Sequence, residues 1–153
     1  MDAGGIPVNP HLLRAGAVVA VTAACVVAVS SACSVLGGDL RVGDCFDAGP
    51  VLDGGTGVRT SSCSGQHDAE VVGIVPVPGD TREQAVLDEI VAEECEEAFE
   101  EYVGAAAWDS MFRLRALVPS EEAWQNESDR VVICFAWTAE LGPIDYSVRD
   151  VRA

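Results

Sequence analysis

His67-Asp68-Ala69-Glu70 places one imidazole and two carboxylates within four positions, a set able to ligate a metal or to move protons. It follows Cys63 by four residues and stands at the entrance to a β-branched run, Ala69 to Val77 (AEVVGIVPV). In a strand alternate side chains share a face, so Asp68 and Glu70 would lie on one side while Ala69 turns away. The competing role is structural, with His67 and Asp68 bonding local backbone groups to fix a turn. The structural role is the expectation. A metal-binding or metal-dependent enzymatic centre on His67, Asp68 and Glu70 is the alternative.

Six cysteines divide by context. Cys25 and Cys33 lie in an apolar N-terminal stretch, whereas Cys45, Cys63, Cys95 and Cys134 lie in the mixed sequence after it. Four cysteines in an exported domain read as two disulfides, for which three connectivities are open. The preferred pairing is Cys45–Cys63, closing a local loop, with Cys95–Cys134 pinning a helix to a strand. The chain-entropy argument assigns each about 3–4 kcal/mol. Zinc is disfavoured, because there is no closely spaced Cys pair and His67 is the one His after the apolar stretch. No metal or other cofactor is expected.

Signatures of catalysis are missing. The sequence has no G-x-S-x-G elbow, no phosphate-binding Gly loop and no H-E-x-x-H. A Ser-His-Asp triad would have to be built around His67, and no nearby Ser is distinguished. The expectation is therefore a protein that is not an enzyme. Glu93, Glu94, Glu96, Glu97, Glu100 and Glu101 form a dense acidic run. Like charges four apart destabilise a helix by a few tenths of a kcal/mol, which motivates a cation or an Arg-rich partner. Helical carboxylates do not make the looped oxygen cage that Ca²⁺ prefers, however, so a solvated face is expected. Trp124, in a polar loop beside Asp129 and Arg130, is either a contact residue or a packing partner of Arg130. Trp137 reads as core.

The chain of 153 residues is 49% hydrophobic with a net charge of −16, and every basic side chain is Arg. Such acidity repels phosphate backbones and anionic headgroups, so nucleic acid is excluded as a partner. Ala15 to Gly38 carries no charge, with Arg14 just before it. Ala15 to Val29 has the length of a secretory h-region, and Ser30-Ser31-Ala32-Cys33 then resembles a lipoprotein cleavage site with Cys33 as the lipidated residue. Ser30 stands where Leu is usual, and Thr22-Ala23-Ala24-Cys25 is a weaker competitor. The alternative is an uncleaved helix from about Ala15 to Leu36. Either form tethers the rest to the outer face of the cell membrane, with Arg14 inside. The segments expected are 1–33 as signal or anchor, 34–39 as linker and 40–153 as the extracytoplasmic domain.

Within that domain Leu40 to Phe46 alternates as a strand entry, and residues 49–57 break it with Gly and Pro. Gly57 to Ser62 is a short strand. Ala69 to Val77 is a clear strand, with Pro76 marking its end or an edge. A helix runs from Asp80-Thr81 to Gly104, opened by the Thr81/Gln84 capping-box spacing. Leu87, Ile90, Val91, Cys95, Ala98, Phe99 and Tyr102 form its apolar stripe. Arg113 to Val118 is a strand ended by Pro119. Val131 to Thr138, apolar on both faces, is a central strand. Ile144 to Val151 alternates as the last. The fold class is α+β, one long helix on a small, mostly antiparallel sheet with two disulfides.

Val42-Gly43-Asp44-Cys45-Phe46, Cys63 with His67-Asp68-Ala69-Glu70-Val71, Cys95 in a helix, and Trp124 with Asp129-Arg130 and Cys134 together resemble the septum-formation-related domain of actinobacterial envelope proteins. The resemblance covers about Leu40 to Val151. It departs from the pattern at Asn126-Glu127-Ser128, where a Gly before Asp-Arg would be usual. It implies a domain behind a lipoprotein signal or membrane anchor, a link to cell division and no characterised activity. The expected function is non-enzymatic binding of an envelope protein or cell-wall component, with His67, Asp68, Glu70, Trp124, Asp129 and Arg130 as candidate contacts. A sensory or ligand-carrying lipoprotein is a further alternative.

Overall fold

A computed structural model describes residues 39–55, 57–80 and 82–153. The N-terminal apolar stretch, Arg14, Cys25, the Cys33 lipidation site, linker residues 34–38 and the Thr81 cap lie outside the described residues. Among the described residues no helix is long and apolar enough to cross a membrane.

The two most apolar, β-branched runs form the two longest strands, β3 (Ala69–Pro76) and β5 (Val131–Trp137). They pair antiparallel, with Val71 opposite Phe135 and Gly73 opposite Cys134, and a bulge between these pairs. Two short strands, β1 (Cys45–Phe46) and β2 (Thr60–Ser61), extend one side, and β4 (Arg113–Leu117) the other. The sheet order is β2-β1-β3-β5-β4, and every pairing is antiparallel. Pro76, which cannot donate to a ladder, is the last residue of its strand.

Alternation along β5 splits the interior into two layers. Val132, Cys134 and Ala136 join one buried cluster with Leu87, Phe99 and Val103. Ile133 and Phe135 join a second with Phe46, Ala48 and Val58, where the rings of Phe46 and Phe135 meet edge-on at 5.3 Å. The helix covers the first face, as expected. The second face is covered by residues 40–58, including a one-turn helix α1 (Gly49–Leu52), where the Gly/Pro content suggested only a break.

The long helix is present but bent. It comprises α2 (Gln84–Ala92) and α3 (Glu94–Val103), and the chain departs from ideal helix at Glu93, with φ −112° and ψ −61°. The Glu93 N–H still reaches the Glu89 carbonyl at 2.9 Å, so this is a bend and not a termination. It falls within the run Glu89, Glu93, Glu97, Glu101, where carboxylates recur every four residues. Gly104, left-handed at φ 80°, ends the helix as anticipated. α3 comes very close to the sheet because β3 offers Gly73 beneath it: a Cβ there would stand 2.7 Å from that of Ala98.

Two strand expectations need correction. Leu40 to Phe46 contributes only β1, because Arg41 to Asp44 form a tight turn closed by the Asp44 carboxylate on the Arg41 N–H at 2.8 Å. Ile144 to Val151 is no strand. Ile144 makes a single bridge to His67, and Tyr146 is exposed. The backbone N–H groups beyond it serve other acceptors. Asp150 and Arg152, both with positive φ, donate to the Tyr102 and Val103 carbonyls at 3.0 and 2.9 Å. These are terminal carbonyls of α3 that have no partner within the helix.

Candidate functional site

Register places the motif. Cys45 of β1 stands opposite Glu70 of β3, and both residues are buried. The Glu70 side chain, 1% exposed, points into the helix layer. One of its oxygens accepts the Tyr102 hydroxyl at 2.5 Å and the Ser147 hydroxyl at 2.7 Å. The other accepts the Val148 N–H at 2.7 Å. One carboxylate thus ties β3 to α3 and to the C-terminal segment. Burial, and then the neighbouring Glu70 carboxylate, push the Tyr102 phenol up to about 12, so it stays a donor. The Arg149 guanidinium stacks on the Tyr102 ring, 4.1 Å from its centre.

His67 is 3% exposed, and its backbone exchanges two bonds with Ile144 at 3.0 and 2.8 Å. Its Nδ1 bonds the Gly65 carbonyl at 2.8 Å, while its Nε2 is buried without a partner. Asp68 turns away from both. Its carboxylate accepts the Ala48 N–H at 2.7 Å, anchoring the start of α1. Burial pushes the Asp68 carboxyl above the usual aspartate range, with the Ala48 bond opposing and the charge of Asp47 adding. Asp68 and Glu70 therefore do not form one acid–base pair.

Because the folded pKa of Asp68 is raised, its contribution to stability is full below the unfolded pKa of about 4 and is lost as pH rises through the folded value. Asp68→Asn keeps the acceptor for Ala48 and removes this loss. Its stability relative to wild type should therefore improve from pH 3 towards pH 7 in urea melts taken across that range. A difference independent of pH would refute the reading.

The four domain cysteines pair as Cys45–Cys63 and Cys95–Cys134, as preferred from the sequence. Trp124 is buried and takes the packing role. The Arg130 guanidinium lies 5.1 Å from its ring centre, and Arg130 Nε donates to the Trp124 carbonyl at 2.9 Å. Asp129 accepts from the Asn126 side chain at 3.0 Å, within the polar turns at 123–129. Trp137 is only partly buried, with Arg115 over its ring at 5.3 Å. The six helical glutamates are all solvent-exposed.

Two surface features escaped the sequence reading. Trp108 is 80% exposed, and Met111 nearby is 48% exposed. They lie in the irregular connection between α3 and β4, where no periodicity marks a residue as outward-facing. The second is a groove of about 550 Å³ on the side of the sheet away from the long helix. Val51, Val58, Leu117 and Ile133 give it apolar walls, and Glu122 and Asp129 supply charge. Asp129, singled out by motif, thus lies at this groove and not with His67.

Residues 42–145 match a protein-family model described as septum formation. No curated protein and no solved structure matches the chain.

Proposed function

Since this chain belongs to the septum formation family, we propose that it is a non-enzymatic binding domain of the cell envelope, tethered at the outer face of the membrane and linked to cell division through a protein or cell-wall partner. The observation that carries the binding role is Trp108. A tryptophan left 80% in water, three residues before a half-exposed methionine, offers the side-chain types that are enriched at the centres of interfaces. Supporting this, the Asp68 and Glu70 carboxylates accept separate structural bonds and do not pair for acid–base work. The tether rests on the apolar run before Cys33, and intact mass of the membrane-extracted protein tests it.

Trp108→Ala should leave folding within about 0.5 kcal/mol of wild type, because the side chain packs on little. It should weaken partner binding by about 2 kcal/mol or more, roughly 30-fold. Envelope crosslinking of the full-length wild type and variant, with yields compared at equal protein levels, reads this out. Equal yields of one adduct remove Trp108 as the anchor, and no adduct above background from either protein removes the binding role.

The groove favours a second reading, carriage of a small apolar ligand, since its volume falls within the range of small-molecule sites. Native mass spectrometry of gently extracted protein would reveal a bound species, and a bare protein mass alone would sink this reading.

A further inference from the structure

Cys45, Cys63, His67 and Glu70 converge. One donor atom from each lies within 4.8 Å of all the others. The sequence gives no hint of this, because strand register and not spacing assembles the set: β1 sets Cys45 opposite Glu70. The condition of His67 is the second observation. A carbonyl oxygen only accepts, so Nδ1 must donate to Gly65, which leaves the neutral ring with a lone pair on Nε2. That nitrogen is buried and has no partner. A ring oriented by an Nδ1–H bond to a backbone carbonyl, with Nε2 left available, is prepared as a metal ligand.

We propose that reduction of Cys45–Cys63 converts this locus into a Zn²⁺ site ligated by Cys45 Sγ, Cys63 Sγ, His67 Nε2 and a Glu70 oxygen. Two thiolates, one imidazole and one carboxylate suit tetrahedral zinc. A dithiol supplies the two electrons and two protons: the Cys45–Cys63 bond breaks, two thiols form, and the dithiol closes to its own disulfide. Zinc then displaces both thiol protons to water. Cys63 is partly exposed and offers the sulfur to attack, whereas Cys95 and Cys134 are wholly buried and stay paired. The two sulfurs must part by about 2 Å to span a ligand tetrahedron, and the loop carrying Cys63 leaves a strand of only two exposed residues. Three of the roughly four acceptor positions of Glu70 are taken by Tyr102, Ser147 and Val148, so one remains for the metal. Those donors hold the carboxylate in place, as outer partners of metal ligands do. Asp68, bonded to Ala48, takes no part. The proposal stands independently of partner binding.

The test uses the full-length chain, reduced by a resin-bound phosphine that is removed before metal is added. Thiol labelling must show Cys45 and Cys63 free and Cys95–Cys134 intact. The expected result is one Zn²⁺ per reduced chain and none per oxidised chain. Co²⁺ in its place should give the intense visible bands of a four-coordinate ion and a thiolate charge-transfer band. His67→Gln should abolish that signature, and Tyr102→Phe should weaken binding by about 10- to 100-fold. A reduced chain that binds no stoichiometric metal, or a His67→Gln variant that binds as wild type does, overturns the proposal. If reduction alone unfolds the domain, recovery of the near-UV circular dichroism on adding Zn²⁺ supports the site, and failure to recover overturns it.

Discussion

Glu70→Ala is expected to remove on the order of 3–6 kcal/mol of folding stability, because it strands three donors at once. The Tyr102 hydroxyl, the Ser147 hydroxyl and the Val148 N–H all end on this carboxylate. A buried donor without its acceptor forfeits about 1–3 kcal/mol. Ser147 is partly exposed and water can replace its partner, which keeps the sum below the upper limit. Against the total of about 5–15 kcal/mol typical of a domain, this is a large share, and it unfolds much of the protein where the total lies at the low end. Glu70→Gln should fall between. Its carbonyl can serve Tyr102 and Ser147, but its NH₂ then faces the Val148 N–H, donor against donor. Urea melts followed by near-UV circular dichroism measure both, and a loss below about 1 kcal/mol for Glu70→Ala would refute the account. The same network sets an alkaline limit. With the folded Tyr102 pKa raised to about 12, its contribution is full below the unfolded value near 10 and is lost as pH climbs through 12.

That Glu70 is structural was only half legible. Alternation in β3 assigns it a face, but it cannot show that a helix and the chain terminus will bury that face. Its partners lie 32, 77 and 78 positions away. The disulfide pairs were more legible, because the apolar stripe of the helix already turns Cys95 inward and β5 is apolar on both sides. The C-terminal segment misled for a physical reason. Ile144, Tyr146 and Val148 repeat with the period of a strand, yet the Val148 N–H goes to the Glu70 carboxylate and those of Asp150 and Arg152 go to the end of α3. Residues 40–58 were illegible in another way. Their Gly and Pro content reads as interruption, while Leu40, Phe46, Ala48 and Val58 still pack against Ile133 and Phe135 on the second face of the sheet. The convergence at His67 needed the β1–β3 register, which no local pattern encodes.

The second large effect belongs to Cys95–Cys134. Converting both residues to alanine should cost about 2–5 kcal/mol, more than the same change at Cys45 and Cys63. The cysteines of the first pair are 39 positions apart and those of the second 18. On loop entropy alone the longer closure is worth about 0.7 kcal/mol more at room temperature. Packing widens the gap. Both sulfurs of the longer bridge are wholly buried beneath α3, where Gly73 brings helix and sheet together, whereas Cys63 lies partly in solvent. Losing the longer bridge therefore loosens the contact between α3 and the sheet at its tightest point, and with it the frame on which Tyr102 reaches Glu70. The two double variants should be ranked by urea melts of the full-length oxidised chain, with the variant lacking Cys95 and Cys134 melting first. If the variant lacking Cys45 and Cys63 proves the weaker, the β1–β2 side of the sheet and not the helix contact holds the domain together.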